Sequence, residues 1–386
     1  MKIIVAPDSF KGSVTALEAA KSIEQGLRRV LPEAIIDKIP MADGGEGTVQ
    51  SLVDATGGHF RTERVLDPLG NEVEAQYGLL SDGASSYSCA VIEMASASGL
   101  TLVPTDKRNP LRTTTYGTGQ LIRSALEAGC RKLIIGIGGS ATNDAGAGMA
   151  EALGVRFLKA DGNLTERSGG GLAELASIDI EGIHPAISET DIIVACDVNN
   201  PLTGPNGASH VYGPQKGATP EMVKTLDDNL SHFDDILTQT LGQSYDSIPG
   251  AGAAGGLGAG LMAFLNARLR LGVDIMIDAV NLRERMKGAS LVITGEGQID
   301  FQTAFGKTPV GVAKVAKEAN IPVVAIAGGI GEGAEAVYAK GIDSMLGIVH
   351  APMSLEDAVE DALQLIADTA EQAARLVMIG KHLHQT

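Results

Sequence analysis

The sequence has few of the features that cross-link a chain or hold it in a membrane. Three cysteines occur in 386 residues, and Cys89, Cys130 and Cys196 stand far apart, without a C-x-x-C pair. They predict neither a disulfide framework nor a thiolate zinc site, and they indicate a reducing compartment. No apolar run approaches the ~18 residues of a membrane-spanning helix. We therefore expect a protein without membrane association.

The first residues of the sequence do not predict a secretory signal. Residues 3–6 are apolar, but Pro7 and Asp8 follow at once. This run is too short for the apolar region of a signal peptide. Together with the few cysteines, it predicts a cytoplasmic location.

Positive charge is scarce. The chain carries 30 Lys and Arg against 47 Asp and Glu, which gives a net charge of −17. Such a balance argues against nucleic acid or an anionic membrane as a partner. An anionic ligand would instead need local cations, a metal ion or backbone amides. The sequence leaves open whether the chain forms a homo-oligomer.

Glycine is abundant, with 49 residues in the chain. This is well above the usual share of about 7%. No short repeat accompanies it and there are only 15 prolines, so neither collagen nor a disordered linker fits. Many of these glycines stand at loop junctions, which predicts backbone that approaches a ligand or another segment closely.

The order of apolar segments predicts an α/β fold. Residues 2–6 and 34–39 are strand-like, and a helical period lies between them. Residues 291–294 and 323–327 repeat this alternation near the end of the chain, and residues 355–376 are expected to form one long helix. The alternation is typical of a doubly wound, mostly parallel sheet.

The middle of the chain differs from its two ends. Residues 72–80 and 87–94 read as antiparallel strands around a turn at 81–84. We therefore expect a doubly wound, mostly parallel α/β domain with a second, mixed α/β domain inserted into it. The predicted boundaries are 1–62 and 285–386 for the first domain and 63–284 for the insertion.

Polar loops follow several of the predicted strands, and open parallel sheets bind ligands beyond the carboxyl ends of their strands. The first loop contains Asp8, Ser9 and Lys11 before a helix. Lys11 would neutralise a substrate carboxylate or a phosphate. Alternatively, Ser13 or Thr15 caps the helix and Lys11 is solvated.

The second loop is rich in glycine. Asp43 is followed by Gly44, Gly45, Glu46 and Gly47, and a helix is expected from about residue 46. Successive glycine amides at a helix start would bind an anion. The alternative is a capping box made by Asp43 and Glu46. The box alone would not explain the glycines, so an anion site is favoured.

The third loop follows a predicted strand at 133–137 and precedes a helix expected after Asp144. Free amides and the helix dipole favour phosphate there. Residues 136–141 also fit the dinucleotide pattern G-x-G-x-x-A, but the acidic residue that this pattern needs falls in a turn-like stretch at 159–163. A phosphate site is therefore favoured over a nicotinamide site. The candidate residues are Gly138, Gly139, Ser140 and Thr142.

Two further loops carry carboxylates. Asp197 follows the apolar residues 192–195, where it would serve as a general base or metal ligand, or form an Asx turn before Pro201. Lys216 offers a second cation on a nearby turn. Glu296 and Asp300 stand in a glycine-bracketed loop and would hold Mg²⁺ beside phosphate oxygens, unless the loop is plain surface.

These loops together resemble those of the bacterial glycerate kinases, nearly from end to end. A mild departure occurs at residues 143–146, where related segments have paired glycines. The matching segments are 6–11 (APDSFK), 42–48 (ADGGEGT), 136–142 (GIGGSAT), 195–202 (ACDVNNPL), 213–219 (GPQKGAT), 252–256 (GAAGG) and 292–302 (VITGEGQIDFQ).

The resemblance implies two α/β domains with the active site between them, ATP with Mg²⁺, and D-glycerate as the substrate. The members most similar to this chain imply 2-phosphoglycerate as the product. Phosphorylation at the 3-position, a nicotinamide-dependent oxidoreductase and a regulator that binds small anions are the alternatives.

Phosphoryl transfer needs mainly positioning and charge neutralisation, which suggests a division of roles. The 138–142 loop, with Gly44 and Gly45, would hold the nucleotide, and Glu296 with Asp300 the metal. Asp43 or Asp197 would accept the proton of the attacking hydroxyl. The residues expected to contact substrate or transferring phosphate are Asp8, Ser9, Lys11 and Lys216.

Overall fold

The structure is a computed structural model that describes residues 1–45, 47–80 and 88–383. The strands are β1 Lys2–Pro7, β2 Ile35–Lys38, β3 His59–Leu66, β4 Glu72–Leu80, β5 Cys89–Glu93, β6 Lys132–Gly136, β7 Arg156–Leu158, β8 Ser177–Asp179, β9 Asp191–Ala195, β10 Arg268–Arg270, β11 Leu291–Ile299, β12 Val323–Ile330 and β13 Ser344–Gly347. The helices are α1 Ala16–Arg28, α2 Thr48–Thr56, α3 Ala95–Ser98, α4 Tyr116–Glu127, α5 Ala147–Ala152, α6 Ala208–Tyr212, α7 Pro220–Leu241, α8 Leu257–Leu265, α9 Gly272–Ala279, α10 Leu282–Arg285, α11 Thr308–Glu318, α12 Leu355–Glu360 and α13 Ala362–Leu383.

The chain divides into two compact units, because most contacts are made within each unit. Unit 1 contains Met1–Asp43, Gln50–Thr56 and Val273–Thr386, and unit 2 contains Gly44–Val49 and Gly57–Gly272. Each unit therefore has its own sheet and its own core. The domain boundaries drawn from the sequence, at 62/63 and 284/285, stay predictions.

Unit 1 is built on a five-stranded sheet in the order β13-β12-β11-β1-β2, and every pairing in it is parallel. The β1–β11 register pairs Ala6 with Thr294 and Pro7 with Gly295. The loops that follow these two central strands consequently leave the sheet side by side.

Helices cover both faces of this sheet. One face packs against α1 and α13, and Ile3, Ile23, Leu27 and Ile366 belong to that core. Because strand side chains alternate between faces, the buried Ile4 points to the other face, where α11 contacts β1 and β11. Buried helices on both faces explain why these strands read as continuous apolar runs.

The start of α1 decides between two readings of the first loop. Thr15 caps the helix: its side chain accepts from the Glu18 amide, and the Glu18 carboxylate accepts from the Thr15 amide. This is a complete capping box. The capping alternative for Thr15 is therefore confirmed, and it leaves Asp8, Ser9 and Lys11 to the strand end.

Unit 2 is built on a six-stranded mixed sheet in the order β10-β9-β6-β5-β4-β3. Strands β10, β9, β6 and β5 are parallel, whereas β4 is antiparallel to both β5 and β3. A separate two-stranded sheet joins β7 and β8. In the core, the ring of Phe264 meets Phe157 edge-on at a centroid distance of 5.7 Å.

The expected fold class is confirmed, with corrections in detail. The two antiparallel strands at 72–80 and 87–94 correspond to β4 and β5, and the turn at 81–84 lies outside the described residues. The prediction of one long helix at 355–376 is wrong, because α12 ends at Glu360 and α13 starts at Ala362. The helix expected after Asp144 begins only at Ala147, because the Asp144 side chain binds the amides of that turn.

In the part of the chain that the structure describes, no helix has the length and apolar character to cross a bilayer.

Candidate functional site

Three carboxylates gather at the strand ends of unit 1: Asp8, Asp43 and Glu296, here called the carboxylate cluster. Asp8 follows β1 directly, and its amide donates to the Gly295 carbonyl over 2.8 Å. Glu296 is the next residue of β11 and is 9% exposed. The loop expected around Glu296 is wrong, because β11 continues to Ile299 and pairs with β12 over that stretch. The negative charge of Asp43 acts on both Asp8 and Glu296. The parallel register therefore brings together two segments almost 290 residues apart.

Hydroxyl groups fix two of these carboxylates. Thr308 donates to Asp8 Oδ2 over 2.5 Å, and Thr303 donates to Glu296 Oε1 over 2.7 Å. The Ser9 amide donates to Asp8 Oδ1 over 2.6 Å. Thr303 and Thr308 were missed in the sequence. The triplet at 306–308 carried a signal, since its glycine, lysine and threonine stand just before an apolar period typical of a helix.

Burial and mutual repulsion shift the pKa of the cluster. Desolvation, aided by the charge of Asp43, raises the pKa of Asp8 to about 6 despite the bonds from Thr308 and Ser9. Desolvation also raises the pKa of Glu296 to about 7, with Asp8 and Asp43 adding to the rise and Thr303 and Lys307 opposing it. Negative charge is thus concentrated where a cation would relieve it.

Asp300 follows Glu296 by four residues, which is about 13 Å of extended strand. Its role as a metal ligand stays a prediction, because both side chains would have to reach fully toward each other to share one ion with bonds of about 2.1 Å. The Asp300 carboxylate accepts a hydrogen bond from the Gln302 amide at 2.8 Å. This spacing favours Asp8 over Asp300 as the carboxylate that shares a cation with Glu296.

Lys11 is exposed. Its amide lies 3.1 Å from the position that a Cβ on Gly297 would occupy, so the two segments pass close to each other. Lys11 therefore lies beside the strand that carries Glu296, with its side chain in solvent. Its expected contact with substrate stays a prediction.

In unit 2 the predicted nucleotide residues lie at the carboxyl end of the parallel strands. Gly136 and Ala195 are register partners at the ends of β6 and β9. Gly44 has φ +93°, and a Cβ on it would lie 2.8 Å from the Ala195 Cβ. Gly45 lies against Gly138, whose added Cβ would be 3.9 Å from the Gly45 Cα. The structure therefore brings the 44–45 and 138–142 segments together, and only glycine fits at position 44.

Some backbone amides near the 44–45 and 138–142 segments already donate hydrogen bonds within the protein, and others do not. The Val49 amide in the first turn of α2 donates to Glu93 Oε1 over 3.0 Å. Glu93, the last residue of β5, thus takes part of the cap expected of Glu46, which lies outside the described residues. The amides of Gly138, Gly139 and Ser140 donate to no other described residue. Gly138 and Gly139 are exposed, so their amides are available to an anion.

A buried charge network supports the 138–142 loop. Lys216 is 1% exposed, and its ammonium donates to Ser140 Oγ and to the Thr142 carbonyl, each over 2.7 Å. Asp144 is fully buried and accepts from the amide and hydroxyl of Thr115 at 2.8 and 2.9 Å. It also accepts from the amides of Gly146 and Gly148 at 3.2 and 3.3 Å. The role of Asp144 could not be predicted from the sequence, because its partner Thr115 lies in a distant segment.

The glycine-rich segment at 250–258 packs against the same loop. A Cβ on Gly255 would lie 1.9 Å from the Thr142 carbonyl oxygen, and the Ala145 amide donates to the Gly255 carbonyl. This segment therefore serves close packing beneath the loop.

Asp197 is exposed just after β9, and its Oδ1 accepts a hydrogen bond from the Gly272 amide at 3.0 Å. Since a Cβ on Gly44 would lie 3.0 Å from the Gly272 Cα, Asp197 stands near the 44–45 segment within unit 2. This exposure gives Asp197 access to a ligand, and its role as a base stays a prediction.

The donors present fit both groups that the resemblance implies. No set of three or more His, Cys, Asp or Glu side chains arranged for a metal occurs in the described residues. Mg²⁺ usually takes one or two protein carboxylates and completes its shell with water and phosphate oxygens, so Asp8 and Glu296 suffice. Thr142 Oγ1 is buried without a partner in the described structure, and exposed glycine amides lie in the same loop. Such donors suit a polyphosphate.

Comparisons with known proteins agree in one assignment. The glycerate kinase family profile matches residues 3–378. A glycerate kinase of Halalkalibacterium halodurans is 56% identical over 98% of this chain and 97% of its own length. The glycerate 2-kinase of Escherichia coli K12 is 48% identical over 98% of this chain and 99% of its own length.

A solved structure extends the agreement to the fold. A Salmonella typhimurium LT2 protein, provisionally named glycerate kinase 2, superposes with a TM-score of 0.91 at 49% identity over 99% of both chains. The chain belongs to the glycerate kinase family, a family of enzymes. The resemblance read from the loops is thereby confirmed.

Proposed function

We propose that this protein transfers the γ-phosphoryl group of ATP to a hydroxyl of D-glycerate and that the product is 2-phospho-D-glycerate. The observation that carries the proposal is near full-length similarity to relatives named glycerate kinase. The relative named glycerate 2-kinase favours the 2-position. The low cysteine content supports a cytoplasmic location.

In this proposal the carboxylate cluster manages the cation. Glu296 and Asp8 would hold Mg²⁺, because burial and mutual repulsion make their joint ionisation costly without a counter-charge. When bound, Mg²⁺ neutralises charge on the transferring phosphoryl group. Thr303 and Thr308 keep the two carboxylates oriented.

The nucleotide phosphates would lie against the 138–142 loop. Its exposed Gly138 and Gly139 amides supply donors without a side chain in the way, and Ser140 is fixed from below. Gly44 and Gly45 lie beside this loop. Backbone amides suit a phosphate because they donate without the desolvation cost of a buried free charge.

The remaining roles concern glycerate. Asp43, partly buried beside the other two carboxylates, would accept the proton of the attacking hydroxyl, and Asp197 is the second candidate. Lys11, exposed next to β11, would pair with the substrate carboxylate, and Ser9 would donate a hydrogen bond to it. In a protein with a net charge of −17, such a local cation would offset the repulsion of an anionic substrate.

The purified protein with MgATP and D-glycerate tests the reaction and its regiochemistry together. ADP release in a coupled assay should depend on D-glycerate, and phosphorus NMR of the product should show the 2-phosphate. A 3-phosphate signal would move the proposal to the other hydroxyl. Absence of glycerate-dependent ADP release would reject it. Oxidation of NADH in place of ADP release would favour the oxidoreductase alternative.

A further inference from the structure

Lys216 is a lysine with no access to solvent, and it lies beneath the 138–142 loop. Its ammonium is 2.7 Å from both Ser140 Oγ and the Thr142 carbonyl oxygen. With 1% of its surface exposed, it is among the largest fully buried side chains. Lysine is almost never fully buried unless it is paired. A lysine in this position therefore needs a reason beyond packing.

The sequence suggested that Lys216 binds substrate, but its contacts in the structure are to the loop. Two of its three ammonium protons go to Ser140 and Thr142, and neither bond faces solvent. The atoms of the loop that do face solvent are those of Gly138 and Gly139. Any effect of Lys216 on a ligand must therefore pass through the loop.

We propose that Lys216 is a positioning residue of the phosphate-binding loop and that it acts through Ser140 and the carbonyl of Thr142. The proposal rests on the proposed function, since it takes the loop to hold the nucleotide phosphates. Lys216 fixes the loop from the protein side, so that the glycine amides stay turned outward. Its positive charge adds to the attraction for a polyphosphate without touching it.

Two opposing effects of its surroundings set the pKa of the Lys216 ammonium group. Burial lowers the pKa of the Lys216 ammonium to about 7, and the negative charge of Asp144 opposes that fall. Among the described residues, Asp144 is the charged group that acts on Lys216, and the groups that donate hydrogen bonds to Asp144, Thr115 and two glycine amides, are neutral. Added negative charge at the loop would favour the ammonium form. Nucleotide binding should therefore be accompanied by proton uptake near neutral pH.

A second observation shows that one polar group of the loop lacks a hydrogen bond within the described structure. Thr142 Oγ1 is buried and has no partner in the described structure, although the carbonyl of the same residue accepts from Lys216. An unpaired buried hydroxyl is unfavourable, because it has lost its hydrogen bonds to water without replacing them. Such a group suits a loop that completes its hydrogen bonds when a ligand or an ordered water arrives.

The first test compares Lys216→Met with Lys224→Met. Methionine keeps most of the lysine volume and removes the donor, and Lys224 is an exposed lysine of α7 whose side chain bonds to no other described residue. We expect Lys216→Met to raise the KM for MgATP about 10- to 100-fold, the worth of a hydrogen bond to a charged group. The kcat and the KM for glycerate should change little, and Lys224→Met should match wild type.

Proton linkage and chemical rescue separate positioning from simple packing. The KM for MgATP should rise with pH above about 7 in wild type and in Lys224→Met, and this rise should be absent in Lys216→Met. In Lys216→Ala, propylamine should restore ATP affinity, whereas 1-propanol of similar size should not. Equal rescue by both would mean that the side chain only fills space, and this would overturn the proposal.

Ser140→Ala tests whether the effect of Lys216 passes through Ser140. If Lys216 acts through Ser140, the losses in Ser140→Ala and Lys216→Met should be less than additive in the double variant. Full additivity, or a wild-type KM for MgATP in Lys216→Met, rejects the positioning role of Lys216. If the wild-type enzyme is active in the same experiment, the proposed function is unaffected by that result. If wild type lacks glycerate kinase activity, the proposed function fails, and calorimetric titration of each variant with MgATP still decides the role of Lys216.

Discussion

Thr308 donates its hydroxyl hydrogen bond to Asp8 Oδ2 over 2.5 Å, although the two residues are 300 positions apart. Asp8 ends the first strand of the chain, and Thr308 is the first residue of α11. The bond therefore joins the beginning and the last third of the chain at one site. It also holds a carboxylate whose pKa burial has raised to about 6. This combination makes Asp8 a sensitive probe of the carboxylate cluster.

Asp8→Asn should lower activity and stabilise the ligand-free protein. The folded-state pKa of Asp8 lies above its ordinary value of 3.8, so the folded protein binds the proton more tightly than the unfolded chain. Its contribution to stability is present at pH 3–4 and is lost as the pH rises toward about 6. The variant avoids that loss, worth at most about 3 kcal/mol. Thermal melts in EDTA at pH 4 and 7.5 measure the difference.

The gain in Tm should be clear at pH 7.5 and small at pH 4. Asp228→Asn, an exposed aspartate of α7, is the matched control and should show no gain at either pH. An Asp8→Asn protein less stable than wild type at pH 7.5 would mean that hydrogen bonding outweighs the cost of the buried charge.

Asp43→Asn and Asp197→Asn distinguish the two candidates for the general base. Loss of the base should lower kcat by about 10²–10⁴-fold. We expect the larger loss for Asp43, because it lies with Asp8 and Glu296 in unit 1. Steady-state kinetics at saturating MgATP and glycerate give the comparison. Near-normal kcat in both variants would remove both residues from this role.

Glu296→Gln should weaken the response to Mg²⁺ much more than Asp300→Asn. Glu296 is a buried carboxylate facing two others, whereas about 13 Å of strand separates it from Asp300. The Mg²⁺ concentration for half-maximal rate should rise at least about 10-fold in Glu296→Gln, the loss seen even for outer-shell partners of a metal. Titration of the rate with MgCl₂ at fixed ATP measures it. Equal shifts in the two variants would restore Asp300 as a ligand.

Gly138→Ala tests whether a phosphate lies against the 138–142 loop. An added Cβ would meet only the Gly45 Cα at 3.9 Å, which is ordinary contact, so the fold should tolerate it. A phosphate on the neighbouring amides would be displaced, and the KM for MgATP should rise about 10-fold or more. Gly380→Ala on α13, with open space around it, is the control. A normal KM in a correctly folded Gly138→Ala would place the nucleotide elsewhere.

Asp144→Asn should destabilise unit 2. The carboxylate accepts four hydrogen bonds in the interior. An amide in its place offers one oxygen and turns an NH₂ group toward donors, while Lys216 loses a nearby negative charge. Leaving a buried donor without its partner costs about 1–3 kcal/mol. Urea unfolding should show a clear fall in midpoint, and unchanged stability would mean that Asp144 is protonated and weakly bonded.

The strand-end loops were predictable because their signals are local. A strand such as β1 is apolar and β-branched, and polar residues and glycines mark where it ends. That was enough to select Asp8, Asp43, Gly138, Asp197 and Glu296. It was not enough for Thr303, Thr308, Asp144 or Glu93, whose partners come from other segments. The helix at 355–376 failed for a related reason, since an apolar period does not reveal a break at Asp361.

The sequence by itself determined the class of fold and selected the loops that are candidates for chemistry, because periodicity, glycine and strand-end polarity act over a few residues. Only the tertiary structure decided which groups share a site. Parallel pairing of β1 with β11 placed Asp8 beside Glu296, and pairing of β6 with β9 placed the 138–142 loop beside Asp197. Burial then shifted the pKa of Asp8, Glu296 and Lys216. Register and desolvation are properties of segments in contact, which a linear pattern does not contain.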